Sequence, residues 1–279
     1  MGRPYPDPPP QAGEGVSAEI GVFGGSGFYE WLRSSEPITV DTPYGEPSSA
    51  IAIAEVAGRR VAFLPRHGPR HTIPPHRVNY RANVWAMHEL GVRRIIGPSA
   101  VGSLQSQLQP GDLVIADQFI DRTSGRADTY YPGPEVVHVS AADPYCPELR
   151  SLAARVAGDH SLRYRATGTV VVVQGPRFST RAESRWYGRM GWDVVGMTQY
   201  PEVILARELE MCYLNLSLVT DYDAGLEGAP DIGAVQAHDV LRVLSENIAR
   251  LRDLLTALVP MIPAAPSCTC RRALEGARV

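Results

Sequence analysis

The chain has 279 residues, enough for one large α/β domain or two small ones with a sizeable core. Its hydrophobic content of 44% is ordinary for a globular protein, and its net charge of −3 is spread along the chain. We therefore expect neither nucleic acid nor a membrane as the main partner. No apolar run approaches the roughly 20 residues that span a bilayer. The Pro-rich start lacks the apolar core of a secretory signal, which predicts a cytoplasmic protein.

The predicted elements alternate between strands and helices, after a segment of residues 1–17 whose Pro and Gly content predicts disorder. Apolar runs bounded by turn residues predict strands, and apolar residues at helical spacing predict helices. In chain order we expect strands at 19–23, 38–40, 50–56 and 61–65, a helix at 78–90, strands at 94–98 and 111–117, a long loop at 118–140, a helix at 147–159, a strand at 167–175, a helix capped by Ser179, a strand at 192–196, a helix from Pro201, a strand at 216–219 and a long helix at 235–259. This order predicts one α/β domain at 18–262, with a central mixed sheet flanked by helices, and a polar tail at 263–279.

Polar or small residues directly follow many of these strands. Ligands of open α/β sheets bind beyond the carboxyl ends of the strands, so such residues would line one rim of the sheet. The first of them, Ser26, lies in a Gly-rich turn whose backbone N–H groups can face an anion. The full set is Ser26, Arg66 with His67, Ser99 with Ala100 in a small-residue turn, Phe178, Thr198 and Asp221.

Arginine and histidine cluster in the segment PRHGPRHTIPPHR after the fourth strand. His67 and His71 have a spacing that could bind zinc on a helix, but Pro69 makes a helix there unfavourable. No carboxylate or thiolate is nearby in sequence to complete a metal site. The cluster therefore favours an oxyanion over a cation, and we expect no metal.

Asp221 and Asp223 end the buried strand LSLV, two residues apart. Mutual repulsion and partial burial would raise the pKa of one of the two carboxyl groups, which suits an acid that donates a proton near neutral pH. The alternative is that both are solvated turn residues.

Four cysteines are too few for a disulfide scaffold. Cys146 and Cys212 lie in apolar surroundings, which predicts buried thiols. Cys268 and Cys270 form a C-x-C pair in the polar tail. Two alternatives stay open for this pair: a small, strained disulfide of the labile kind, or two exposed thiols on a frayed end.

Together the motifs between about Ile20 and Ile262 resemble the trimeric purine nucleoside phosphorylase family. The motifs are GVFGGSG, DTPYG, RHGPRHTIPPHRVNYRANVWA, SAVGSL, PGDLVIADQFIDRT, QGPRFSTRAES, GMTQYPE and TDYDAG. The resemblance implies the nucleoside phosphorylase fold and attack of inorganic phosphate on C1′ of a purine nucleoside. It also implies that the reaction needs no metal or organic cofactor, since phosphate is the co-substrate.

The resemblance also implies roles for single residues. Asp221 would supply the proton to N7 of the leaving base, Asp223 would accept from its 6-amino group, and these two with His67 form the expected catalytic set. His138 would reach the site of a neighbouring subunit, which implies a homotrimer. The expected phosphate site is Ser26, Arg66, His67, Ser99 and Thr198; the purine would lie against Ala100, Phe178, Ser179, Asp221 and Asp223; and the ribose and its 5′ group would lie against Met197, Thr198, Ala237 and Val240. The C-x-C ending is similar to a disulfide-bearing ending of some thermostable archaeal members.

Two positions bear on the choice of nucleoside. Relatives specific for 6-oxopurines use a Glu and an Asn where this chain has Ser179 and Asp221, and an acceptor-only carboxylate facing O6 would leave buried groups unpaired. Ala237 and Val240 make the 5′ side small and apolar, as a methylthio group requires, unless a shift in register brings His238 in. We therefore expect phosphorolysis of 5′-methylthioadenosine to adenine and 5-methylthioribose 1-phosphate. The alternatives are a 6-oxopurine or broad-specificity phosphorylase and a non-catalytic nucleotide-binding module.

Overall fold

The computed structural model describes residues 17–24, 37–224, 226 and 233–279. Ser26 and residues 1–16 of the segment predicted to be disordered lie outside this part of the chain. The strands are β1 Ile20–Gly24, β2 Pro37–Ile38, β3 Ile51–Val56, β4 Arg59–Pro65, β5 Arg94–Ser103, β6 Leu113–Ile115, β7 Gln118–Arg122, β8 Tyr164–Arg165, β9 Thr169–Val173, β10 Val194–Gly196 and β11 Cys212–Tyr222. The helices are α1 Tyr80–Glu89, α2 Pro147–Asp159, α3 Arg181–Arg189, α4 Gln199–Glu208 and α5 Ala237–Leu258. Within these ranges, no helix is long and apolar enough to cross a membrane.

The strands form one mixed sheet with helices on both faces, which confirms the predicted fold class. Buried side chains of α1 and α4 pack on one face. Those of α2 and α5 pack on the other face. The apolar stripes that predicted these helices are the surfaces that they bury, since a helix on a sheet must cover its apolar side.

Strand β5 is the centre of the sheet and changes its neighbour halfway along. Its first residues, Arg94–Ile96, pair in parallel with β1, and its last, Gly102 and Ser103, pair antiparallel with β10. On its other side β5 pairs in parallel with β11 along its whole length. The carboxyl ends of β1 and β10 therefore point towards each other across the middle of β5, and a gap opens between them.

This change of neighbour corrects two sequence-based expectations. Ser99 and Ala100 lie inside β5 and not in a turn after it, because pairing with β11 keeps the backbone extended through both residues. The predicted rim of parallel carboxyl ends is also wrong for Thr198 and Phe178. They follow β10 and β9, which run antiparallel to β5 and reach the gap from the opposite end.

Three other local predictions are wrong. The long loop predicted from Gln118 begins with edge strand β7, whose half-exposed side chains give no clear period. Asp221 lies within β11, at a register shift after Val219, and not beyond its end. The N-cap of α3 is Thr180, which exchanges hydrogen bonds with Glu183 in a capping box, and the hydroxyl of Ser179 is left for other use.

The segment 263–279 packs against the domain, although its polar composition predicted a frayed tail. It contains a short 3-10 helix at Thr269–Arg272, and Cys270 and Ala277 are buried. Of the two alternatives for Cys268 and Cys270, two exposed thiols is wrong, because Cys270 is buried and Cys268 is half-buried. Both are free cysteines in this structure.

Candidate active site

A cavity of about 830 Å³ occupies the gap beside the middle of β5. Its volume is in the range of sites that enclose a small molecule. The walls combine polar groups from the strand ends with an apolar side from α5. The predicted site residues that line it are Arg66, His67, Ser99, Ala100, Phe178, Ser179, Met197, Thr198, Asp221, Asp223, Ala237 and Val240.

A buried ion pair fixes the cation of this cavity. The Arg66 guanidinium donates from Nε and, at 2.9 Å, from Nη2 to the two carboxylate oxygens of Glu202, and Nη1 donates to the Pro98 carbonyl at 3.2 Å. The Tyr213 hydroxyl adds a bond to Glu202 at 2.6 Å. A Cβ at position 97 would lie 2.3 Å from that hydroxyl, so the close approach requires Gly97. These bonds use three of the five N–H groups of arginine and leave two for a ligand.

The hydroxyl of Ser99 is oriented by side-chain amides behind it. Gln199 Nε2 donates to Ser99 Oγ at 2.8 Å, and Asn215 Nδ2 donates to the same oxygen at 3.2 Å. Because both bonds use the lone pairs of the hydroxyl oxygen, its hydrogen points away from the two amides. Ser99 lines the cavity, so this geometry makes it a donor to whatever is bound there.

His67, which the sequence analysis placed at the phosphate site, is not a cation in this structure. Burial, reinforced by the adjacent Arg66 guanidinium, lowers the pKa of His67 to about 4, so its ring is neutral at neutral pH. Nδ1 lies 2.9 Å from the Ile73 carbonyl oxygen and must carry the hydrogen of that bond. The other nitrogen, Nε2, then has a free lone pair and is an acceptor.

Thr198 and Met197 follow β10 and line the cavity. Thr198 is buried and lines the cavity, and its side chain makes no capping hydrogen bond to α4, whose first turn is interrupted by the extended backbone of Tyr200.

The two aspartates come from the β11 side of β5 and lie next to Gly102, whereas Arg66 comes from the β1 and β4 side. A Cβ at position 102 would lie 3.0 Å from Asp221 Oδ2 and 3.3 Å from Asp223 Cβ, so both side chains need this glycine. Asp221 Oδ1 accepts a hydrogen bond from Thr220 at 2.8 Å. Asp223 is 2% exposed, and its Oδ2 has no partner.

Both carboxyl groups have raised pKa values, whereas the sequence predicted a raised pKa for one of them, and mutual repulsion is not the main cause. Burial raises the pKa of Asp221 to about 6, the Thr220 hydroxyl opposes the shift, and repulsion from Asp223 contributes least. Burial also raises the pKa of Asp223. The nearby hydroxyl groups of Ser179 and Ser184 oppose this rise, although neither completes a hydrogen bond to the carboxylate. An acid with a pKa near 6 can both hold and release a proton near neutral pH.

The raised pKa of Asp221 predicts a pH-dependent cost in stability. The folded state favours the protonated Asp221 carboxyl group. The contribution of this group to stability is therefore complete below its ordinary pKa of 3.8 and is lost as pH rises through its folded-state pKa of about 6. At pH 8 the ionised group should destabilise the fold by about 1–3 kcal/mol. Asp221→Asn cannot ionise, so its Tm relative to the unmodified protein should rise between pH 5 and pH 8. Exposed Asp253→Asn is the control, and a Tm difference for Asp221→Asn that does not change with pH would contradict the assignment.

The apolar wall comes from the first half of α5. Ala237 and Val240 both face the cavity, joined by Leu244 and Ile248 one and two turns later. His238 points away, with 77% of its side chain exposed and its ring 3.2 Å from Asp239. The register of α5 is therefore the expected one, in which the small Ala237 and not His238 lines the cavity.

One predicted site residue lies outside the described part of the chain, and another lies outside the cavity. Ser26 lies outside the described residues. His138 is exposed on the surface, and its backbone N–H donates to the Ala277 carbonyl at 2.8 Å. The structure of one chain thus leaves His138 apart from that chain's own cavity.

Sequence reasoning missed the residues that hold the ligand-facing groups in place. These are Glu202, Tyr213, Gln199 and Asn215. A usable signal existed, because Glu202 and Asn215 are polar residues inside apolar segments, and a buried polar side chain needs a partner.

One group among the described residues has the composition of a metal site. It consists of Cys146, Cys212, Cys268 and Cys270. None of these residues lines the cavity. The His67 and His71 rings stack 4.5 Å apart, and no third ligand joins them within the described ranges.

Known proteins match this chain along nearly its whole length. The family model described as the phosphorylase superfamily matches residues 19–260. The S-methyl-5′-thioadenosine phosphorylase of Thermofilum pendens is 52% identical, covering 94% of this chain and 98% of its own. A purine nucleoside phosphorylase of Streptomyces coelicolor is also 52% identical, covering 94% and 96%.

Solved structures of similar fold have related names. A methylthioadenosine phosphorylase from an antarctic soil metagenomic library has a TM-score of 0.87 at 42% identity, covering 95% of this chain and 93% of that one. The methylthioadenosine phosphorylase of Schistosoma mansoni in complex with adenine has a TM-score of 0.86 at 35% identity, covering 94% and 99%. The resemblance noted in the motifs is confirmed, and the chain belongs to the phosphorylase superfamily.

Proposed function

We propose that this enzyme catalyses phosphorolysis of 5′-methylthioadenosine by inorganic phosphate, giving adenine and 5-methylthioribose 1-phosphate. The observation that carries the proposal is the arrangement of one cavity with three different walls. Arg66 and Ser99 supply donors on one side, Asp221 and Asp223 supply carboxyl groups on another, and Ala237 with Val240 supplies an apolar surface. The first wall matches phosphate, and the other two match the purine and the methylthio group of the nucleoside.

On the wall of the cavity that would bind phosphate, the hydrogen-bond donors are held in place by neighbouring residues. Arg66 has two N–H groups beyond its bonds to Glu202 and Pro98, and the hydroxyl hydrogen of Ser99 is free of its two amide neighbours. The neutral His67 adds an acceptor, which fits a hydroxyl of the phosphate itself. We expect Thr198 and Ser26 to add further hydroxyl donors. Phosphate held in this way would stabilise the positive charge that develops on the sugar as the bond to the base breaks.

The leaving adenine needs a proton at N7 and a partner for its 6-amino group. Asp221, with its pKa raised to about 6, is suited to supply the proton. Asp223 has an unpartnered buried oxygen that can accept from the amino group, and Ser179 has an unpartnered buried hydroxyl beside it. Ala100, Phe178 and Met197 would complete the purine and ribose surfaces. This chemistry requires no organic cofactor and no metal in the cavity.

The test is adenine release from 5′-methylthioadenosine with and without phosphate, with 5-methylthioribose 1-phosphate measured as the second product. Adenine should appear only with phosphate, in equal amount to the sugar phosphate. Adenine release at the same rate without phosphate would identify a hydrolase. A lack of release in both cases would favour a binding module.

A second candidate is a purine nucleoside phosphorylase that prefers inosine or accepts many purine nucleosides. It is supported by the Streptomyces coelicolor relative, which is as similar as the methylthioadenosine phosphorylases. Asp221 and Asp223 oppose it, because an ionised carboxylate facing O6 cannot donate to that oxygen. Ratios of kcat/KM for methylthioadenosine, adenosine and inosine decide between the two candidates.

We further propose a homotrimer located in the cytoplasm. His138 is exposed and lies outside its own cavity, as a residue that completes a neighbour's site would be. Sedimentation of the active enzyme tests the assembly, and a fully active monomer would exclude this role for His138.

Ala237→His should shift the preference from methylthioadenosine towards adenosine. The imidazole can hydrogen-bond a 5′-hydroxyl, whereas its volume crowds the methylthio group. One hydrogen bond is worth roughly 0.5–1.5 kcal/mol, so the ratio of kcat/KM values should move by a few-fold to about tenfold. His238→Ala is the control and should leave the ratio unchanged, because His238 faces solvent. The opposite pattern would show that the register of α5 differs in solution.

A further inference from the structure

Four cysteines from three distant parts of the chain meet on the α2 and α5 side of the sheet. Cys146 immediately precedes α2, Cys212 begins β11, and Cys268 and Cys270 come from the C-terminal segment. All four sulfur atoms lie within 4.8 Å of one another, and the Cys212 and Cys268 sulfurs are 3.4 Å apart. The proposed reaction uses none of them.

A buried arginine beside this cluster has no carboxylate partner among the described residues. Arg94 is 1% exposed, its Nε and Nη2 atoms have no hydrogen-bond partner, and its Nη1 reaches only the Ala264 carbonyl at 3.4 Å. Arg94 pairs in register with Cys212 across β5 and β11. Because a buried cation without a counter-charge is costly, this position calls for a negative group nearby.

We propose that Cys146, Cys212, Cys268 and Cys270 form a structural site for a thiophilic divalent cation, with Zn²⁺ as the expected ion. Four thiolates around one divalent ion carry a net charge of −2, which supplies the counter-charge that Arg94 lacks. Two disulfides or four neutral thiols supply none. A metal bound here would lie outside the cavity, in a protein for which the sequence analysis expected no metal.

The distances fit a tetrahedral site. Zinc–sulfur bonds of about 2.3 Å place the sulfurs about 3.8 Å apart, so shifts of roughly 1 Å or less convert the cluster into a coordination sphere. A disulfide between Cys268 and Cys270 would instead close a small ring of the strained, labile kind. Four thiolates select zinc or another soft ion over the hard cations magnesium and calcium.

Such an ion would hold the C-terminal segment on the domain. Apart from the burial of Cys270 and Ala277, the contacts of the segment with the domain include a β-bridge between Val137 and Arg278 and a hydrogen bond from the Ser267 N–H to Glu148. Two of the four ligands come from this segment and two from the domain. Metal binding would therefore add its free energy directly to the docking of residues 263–279.

The experiment begins with cells lysed anaerobically in a thiol-alkylating reagent, followed by mass analysis of the denatured chain. Separately, the protein is purified without chelator, its metal content is measured, and the reduced metal-free form is titrated with Zn²⁺ and Co²⁺. We expect one Zn²⁺ per chain, the visible absorption of tetrahedral cobalt–thiolate, and a higher Tm with metal.

Matched variants separate metal binding from general damage to the segment. Cys268→Ser and Cys146→Ser should each weaken Zn²⁺ binding, whereas Ser267→Ala, next to Cys268, should not. Arg94→Met leaves all four thiols and should weaken binding by about 10–100-fold, as loss of a residue outside the ligand shell does. Disulfides in the alkylated chain, or a reduced chain that takes up neither metal, would overturn the proposal.

Discussion

Replacing Asp221 by Asn should lower kcat for methylthioadenosine by about 10²–10⁴-fold, the usual effect of losing one general acid. The amide cannot pass a proton to N7 of adenine. Phosphate affinity should change little, because Arg66 and Ser99, the proposed phosphate donors, make no hydrogen bond to Asp221. Initial rates at saturating substrate, with phosphate binding measured by calorimetry, check both statements.

The same variant should also change the choice of base. An amide at position 221 can donate to O6, so activity on inosine should rise relative to methylthioadenosine. Asp253→Asn is the control, since Asp253 is exposed on α5. Near-normal turnover of methylthioadenosine by Asp221→Asn would remove this carboxyl group from the mechanism.

Replacing Glu202 by Ala should lower the free energy of unfolding by about 3–5 kcal/mol, the typical cost of breaking a buried ion pair by removing one partner. Glu202 is fully buried, and its loss leaves the buried Arg66 guanidinium without a counter-charge. The Tyr213 hydroxyl would lose its partner as well. Denaturant unfolding, with the slope compared between variants, measures the effect.

Two control variants test whether the large effect of Glu202→Ala arises because the ion pair is buried. Glu246→Ala removes the exposed pair with Arg242 on α5 and should cost about 0.3–0.5 kcal/mol. Tyr213→Phe keeps the ion pair and removes one hydrogen bond, so its cost should be intermediate. Equal losses from Glu202→Ala and Glu246→Ala would show that the Arg66 pair contributes no more than a surface pair.

A fall in phosphate affinity should accompany the loss of stability in Glu202→Ala. Glu202 holds two N–H groups of Arg66 and thereby fixes the direction of the remaining two. Glu202→Gln, which keeps the shape and one acceptor oxygen, should recover part of both properties. A variant that unfolds more easily but binds phosphate normally would separate the two roles.

Local patterns determined the helices, most of the strands and many of the residues that line the cavity. α2 begins and ends as predicted, at Pro147 and Asp159, because Pro at the first turn and an apolar stripe are local signals. Buried strands such as β9 are equally visible as short apolar runs. The polar residues of the cavity were also predictable from the sequence, since hydroxyl, guanidinium and carboxyl groups at strand ends have few structural uses.

Only the tertiary structure decided how those residues meet and which state each is in. The change of neighbour along β5 depends on pairing between segments far apart in sequence, so no local pattern predicts that β1 and β10 converge on Ser99. The neutral ring of His67 follows from burial beside Arg66, and the orientation of Ser99 follows from Gln199 and Asn215. The four cysteines likewise read as two unrelated pairs in the sequence, because their closeness arises only when the C-terminal segment folds back onto α2 and β11. Burial and long-range pairing are properties of the whole chain, and they set the charges and hydrogen-bond directions that the proposed reaction uses.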